Sequence, residues 1–207
     1  RDERTASPTL LFRYPTTQPD GYAYLVRSVK LEFGSLTDQQ PSGKHPVRPW
    51  MADAIPQAFE DWRCEVIALE LERTFWEKAT LMHVESQRGM FRPNADRLSR
   101  HWYDLSMLAG MNIGKAALEN RDMLVDVVKH KKVFYHTSYA NYDACLVGQL
   151  RLLPDEVVLV SLAQDFQRMI DAGMFIGAPP VFDQIIGRLR LLEAEINKST
   201  VSKMLQT

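Results

Sequence analysis

The sequence predicts an α+β fold: a β-rich piece over residues 1–69, then a mostly helical piece over residues 70–207. Three observations carry that reading. Before residue 70, β-branched and aromatic residues come in short runs separated by Pro, Asp and Gly. After residue 70, apolar residues recur three and four positions apart, the helical period. Across the chain, hydrophobic residues make up 45% and charged residues 25%, ordinary values for a soluble globular protein.

The same composition excludes several classes. A net charge of -1 gives no overall pull toward nucleic acid or a lipid surface. No apolar run reaches membrane-spanning length, no signal peptide is visible, and a membrane partner is not expected. Cys64 and Cys145 stand far apart in no metal-like spacing, which suits a reducing, cytoplasmic setting. There is no internal repeat and no low-complexity tract.

Residues 1–8 are polar and read as a loosely tied end. Thr9–Tyr14 and Tyr22–Phe33 read as the two strands of a hairpin, joined through Pro15–Gly21 with its Pro-Asp-Gly turn. Residues 34–56, rich in Pro, Gly and Ser, read as a long irregular connection. Cys64–Leu69 is expected as a further strand. Helices are then expected over 70–87, 95–109 and 115–132, with breaks at Arg88–Pro93 and Gly110–Gly114. A fourth starts with Leu153-Pro-Asp-Glu156, its proline and acids in the first turn, and runs to about Ala172. A fifth covers Val181–Asn197, where Phe182, Ile185, Ile186, Leu189, Leu192 and Ile196 make an apolar face.

Two helical stretches place a charge where apolar side chains are expected. Leu71, Phe75, Lys78 and Met82 fall on one stripe of the first helix. Asp104 lies between Trp102 and Leu105 of the second, with Arg97, His101 and Leu108 on its stripe. A lysine on such a face needs a partner or a ligand. Lys78 and Asp104 therefore read either as a structural salt bridge between helices or as half of a site, with Lys78 neutralising phosphate charge. Arg73–Glu77 and Arg100–Asp104 are i,i+4 pairs that also support their own helices.

Glu32 ends its strand between Leu31 and Phe33, as a metal-binding carboxylate or as a glutamate facing water. His83 and His101 are single histidines, expected to be packing residues. Asp165 lies on an apolar stripe and reads as a cap or a salt-bridge partner. Lys129-His-Lys-Lys132 reads as a solvated helix end or as a contact to a polyanion such as RNA. Phe134, Tyr135, Tyr139 and Tyr142 are expected to pack in the core, with base stacking as the other reading. No phosphate-loop, dinucleotide, nucleophile-elbow or paired-Cys zinc motif is present.

Glu72-Arg-Thr-Phe-Trp-Glu-Lys78 with Leu81-Met-His83, followed by Arg97-Leu-Ser-Arg-His-Trp-Tyr-Asp-Leu105, resembles the AbiEii/AbiGii toxin group of nucleotidyltransferases. Asp165–Met169, Met174–Gly177 and Leu192–Asn197 are similar to that group's helical tail. The resemblance implies a polymerase-β-like nucleotidyltransferase core, here a partial sheet of a hairpin plus one strand, followed by a helical domain. It implies a toxin of a toxin–antitoxin or phage-exclusion system, with a cognate antitoxin, transferring a nucleotide from an NTP to tRNA with Mg2+. On that pattern Glu32 is the metal-binding acid, Lys78 meets the triphosphate with Arg73 of the same motif, and Asp104 is the acid of the last motif. This sequence departs from the pattern in one respect: no Gly-Ser turn followed by Asp-x-Asp precedes Glu32. Two-metal phosphoryl transfer needs several carboxylates. The expectation is therefore the C-terminal portion of such an enzyme, or an inactive relative. A non-catalytic helical module partnering an antitoxin, and a transferase acting on a small molecule of the aminoglycoside type, are the other readings.

Overall fold

The computed structural model describes residues 9–15, 26–34, 36–90 and 97–204, with side chains to residue 198. It is an α+β fold, as expected. Its described strands are β1 (Thr9–Arg13), β2 (Ser28–Glu32), β3 (Ser42–Val47) and β4 (Cys64–Leu69). Its described helices are α1 (Met51–Ala54), α2 (Leu71–Gln87), α3 (Arg100–Ala109), α4 (Asn112–Glu119), α5 (Asp122–Phe134), α6 (Glu156–Asp171) and α7 (Phe182–Met204).

The strands form two separate antiparallel ribbons. In one, Thr9 faces Glu32 and Arg13 faces Ser28. The turn at 16–21 and the start of the second strand, up to residue 25, lie outside the described residues. In the other, Ser42 faces Leu69 and Val47 faces Cys64. That second ribbon corrects the expectation of an irregular connection over 34–56. Ser-Gly-Lys-His-Pro-Val has little intrinsic strand preference, and its pairing with β4 supplies the ladder. A two-stranded ribbon is all edge, where a proline such as Pro46 is tolerated.

The core belongs to the helices. Every member of the main apolar cluster lies at or beyond residue 75, with Phe75, Trp76, Met82, Trp102, Leu105, Leu162, Phe166, Ile185 and Leu189 at its centre. The ribbons contribute almost nothing to it. Leu10, Leu11, Phe12, Val29 and Leu31 are all exposed.

α2 is the central helix. It buries Phe75, Trp76, Ala79, Met82 and His83 and packs against α3, α4 and α5. Its end is marked by Gly89 at φ 74, a left-handed backbone that favours glycine just past a helix terminus. Three helix boundaries differ from the sequence reading. The second helix starts at Arg100 rather than 95, because Arg97 has φ 63 and both Arg97 N and Ser99 N donate to the Asp165 carboxylate. Arg97 is thus off the Asp104 stripe. Gly114, read as part of a break, is buried inside α4, where a Cβ would lie 2.8 Å from Ala109 O. The single helix expected over 115–132 is two, separated at Asn120, whose backbone leaves the helical region at φ -97 and ψ 74.

Candidate functional site

Lys78 and Asp104 meet. Lys78 Nζ donates to Asp104 Oδ2 at 2.7 Å, joining α2 to α3. The lysine side chain is 22% exposed and the aspartate 39%, so the pair opens to solvent at the edge of an aromatic core. Trp76 and Trp102, from the same two helices, are fully buried. Trp102 Nε1 donates to Leu152 O at 3.0 Å, which fixes the ring and with it the α3 turn bearing Asp104.

α3 itself is held from a distance. Asp165, fully buried on α6, accepts from Ser99 N at 2.8 Å, Ser99 Oγ at 2.6 Å and Arg97 N at 2.9 Å. These are donors at the start of α3, so a carboxylate from another helix caps it and complements the positive end of its dipole. Arg168 Nη2 also lies 3.3 Å from Asp165 Oδ1, so Asp165 is both the cap and the salt-bridge partner expected of it.

His101 lies one turn before Asp104 on α3. Its Nδ1 is buried with no hydrogen-bond partner. Burial, and then the charges of Lys78 and Arg100, push its pKa down to about 4, so the ring is neutral at physiological pH. His83 is the packing histidine expected of it. It is fully buried, with Nδ1 accepting from Arg151 N at 2.9 Å and Nε2 3.2 Å from Asn141 O. Burial lowers its pKa as well.

Arg73 occupies a different network from Lys78. Its side chain is 2% exposed and lies between Asp38 Oδ2 at 3.2 Å and Glu77 Oε1 at 3.3 Å. Its Nη1 also donates to Gln40 O. Glu77 in turn takes Lys131 Nζ at 2.6 Å. Two cations and two carboxylates therefore neutralise one another and tie α2 to α5 and to the loop before β3. A cleft of about 550 Å³ lies over this network, lined by Asp38, Gln40, Pro41, Arg73, Met123, Asp126, Lys129 and His130. The Glu77 contact was legible as an i,i+4 pair; Asp38 and Lys131 come from remote segments and left no local signal.

The basic run after residue 128 is largely matched by acids. Lys131 is buried on Glu77, Lys132 pairs with Asp143 at 2.8 Å, and Lys129 lies 3.7 Å from Asp126. Tyr142 is buried, as the packing reading expected, and its hydroxyl donates to Tyr135 O; Phe134 and Tyr135 are exposed and Tyr139 is half-buried, so that reading is corrected for these three.

Glu32 stands apart. Its side chain is 58% exposed on the β1–β2 ribbon and pairs with Lys30 at 2.6 Å. Among the described residues no three of His, Cys, Asp and Glu gather as a metal site. A divalent cation takes several oxygens, and one exposed carboxylate already bonded to a lysine does not fit it. No described helix is long and apolar enough to cross a membrane.

No curated protein and no solved structure matches the chain. The family model described as nucleotidyl transferase AbiEii toxin, type IV TA system, matches residues 1–188. That match takes in both ribbons, α2 with Lys78, α3 with Asp104 and α6 with Asp165, and the chain belongs to the AbiEii nucleotidyl transferase toxin family.

Proposed function

We propose that this chain supplies the phosphate-holding part of a nucleotidyltransferase that moves a nucleotide from an NTP to an acceptor RNA, tRNA being the favoured class. Family membership implies a nucleotide substrate and an antitoxin partner in a type IV toxin–antitoxin system.

The observation that carries the reading is the Lys78–Asp104 pair, half-open beside an apolar, aromatic wall. In the free protein Asp104 holds the ammonium in place. An arriving triphosphate, with its higher charge, competes for that ammonium, and Lys78 turns to it. Asp104 is then free to orient Lys78 or the attacking hydroxyl. Arg73, buried under two carboxylates, acts from behind by fixing α2 rather than by touching phosphate. Nucleotidyltransferases generally use a divalent metal. Glu32 is the carboxylate the family pattern offers to Mg2+, and it does not suffice alone. The setting proposed is the cytoplasm.

The test is incorporation of labelled NTP into tRNA by the full-length gene product and by its Lys78→Ala variant. Loss of incorporation in the variant supports the reading, and unchanged incorporation defeats it. A small-molecule acceptor is the alternative outcome, read by offering an aminoglycoside in place of tRNA.

A further inference from the structure

The two histidines of the α2–α3 region are treated differently by the fold. His83 has both ring nitrogens engaged, one with Asn141 O and one with Arg151 N, as a structural histidine should. His101 makes no side-chain hydrogen bond, and its Nδ1 is buried without a partner. It nevertheless sits among charged groups: Lys78 and Glu85 of α2, and Arg100 and Asp104 of its own helix. The ring is thus left unbonded near the Lys78–Asp104 pair.

We propose that His101 is the second donor of this site, presenting its Nε2–H beside Lys78 to the phosphate oxygens of a bound nucleotide. The proposal rests on the reading of Lys78 given above and adds a residue to it. The tautomer follows from burial. A lone pair at the buried Nδ1 costs less than an unpaired N–H, so the hydrogen lies on Nε2. For the same reason an imidazolium is disfavoured, since it would bury an unpaired Nδ1–H. Burial and the Lys78 charge act in the same direction and keep the ring neutral. A neutral donor adds a hydrogen bond to an anion without placing a second cation against Lys78 in the empty site. His101 and Asp104 lie three positions apart on α3 and so share its face, the one on which Asp104 holds the ammonium.

The experiment is calorimetric titration of inorganic tripolyphosphate into the full chain and into Lys78→Met, His101→Phe and His101→Gln. Glutamine places an amide N–H near the Nε2 position, whereas phenylalanine keeps only the ring shape. The expected result is affinity about tenfold weaker for His101→Phe, as for one lost hydrogen bond to a charged group, with His101→Gln within about threefold of wild type. Should the phenylalanine variant fail to fold, His101→Asn replaces it, because asparagine carries its amide nitrogen at the Nδ1 position instead. Wild-type affinity in His101→Phe, together with loss in Lys78→Met, overturns the role of His101 and leaves Lys78 standing. Equal loss in His101→Gln and His101→Phe also overturns it, since shape would then be what matters. Wild-type affinity in Lys78→Met, or no binding by the wild-type chain, overturns both.

Discussion

Lys78 Nζ and Asp104 Oδ2 lie 2.7 Å apart across the α2–α3 interface, and both side chains keep access to solvent. A pair held in this way is a weak structural element. Solvent screens its Coulomb energy, and ordering a lysine side chain costs entropy. Its stability contribution is expected to be at most about 1 kcal/mol. Urea unfolding of Lys78→Met, Asp104→Asn and the double variant measures it. A coupling well above that value would return the pair to a structural role.

Asp165 should matter far more to stability. It is fully buried and accepts three hydrogen bonds at the start of α3. Asp165→Ala leaves those donors unpaired and removes the cap, for an expected loss of about 3 kcal/mol or more. The fall in thermal midpoint reads the effect, and Asp165→Asn should recover part of it.

Gly114→Ala is expected to destabilise by about 1–3 kcal/mol, the cost of overpacking against atoms that cannot move aside. The new Cβ would meet Ala109 O at 2.8 Å and Ala109 Cα at 2.9 Å, both backbone. Gly187→Ala, where a Cβ meets nothing within 4 Å, is the matched control and should be neutral or slightly stabilising. Denaturant midpoints of the two variants give the comparison.

Acid should destabilise the fold through His83, which is buried, and His101, which is partly so. The pKa of His101 is lowered from 6.5 to about 4, and that of His83 is lowered from 6.5. Below pH 6.5 the unfolded chain takes up protons that the folded chain refuses, so stability present above that pH is lost as pH falls. For His101 the loss accumulates down to about pH 4. His101→Gln should flatten part of the decline in unfolding free energy over that window. A decline of unchanged slope would show that His101 is not what titrates there.

The helical half was legible because burial stamps a period on local sequence. Phe75 and Met82 marked the buried face of α2 with the half-buried Lys78 between them, although Leu71 of the same stripe is exposed, and the apolar face of α7 was plainer. The charge placed on such a face pointed to Lys78 before any partner was visible. What escaped were pairings between segments remote in sequence. β3 exists through β4, with Pro46 and Gly43 arguing against it locally. The start of α3 is set by Asp165, sixty-six positions from Ser99. Arg73 read as a companion of Lys78 because it shares a motif. Five positions along a helix is about 140° around it, and Arg73 joins Asp38 and Glu77 instead. His101 carried no signal separating it from His83, since a missing hydrogen bond leaves no trace in sequence.

The central claim is that the Lys78 ammonium is kept for phosphate. The most direct measurement is NTP affinity of the full chain, by calorimetry, for wild type, Lys78→Met and Asp104→Asn, each checked as folded. Removing the ammonium should abolish binding, whereas Asp104→Asn, which releases Lys78 from its competitor, should leave affinity unchanged or raise it. NTP binding that survives Lys78→Met at wild-type strength would contradict the account.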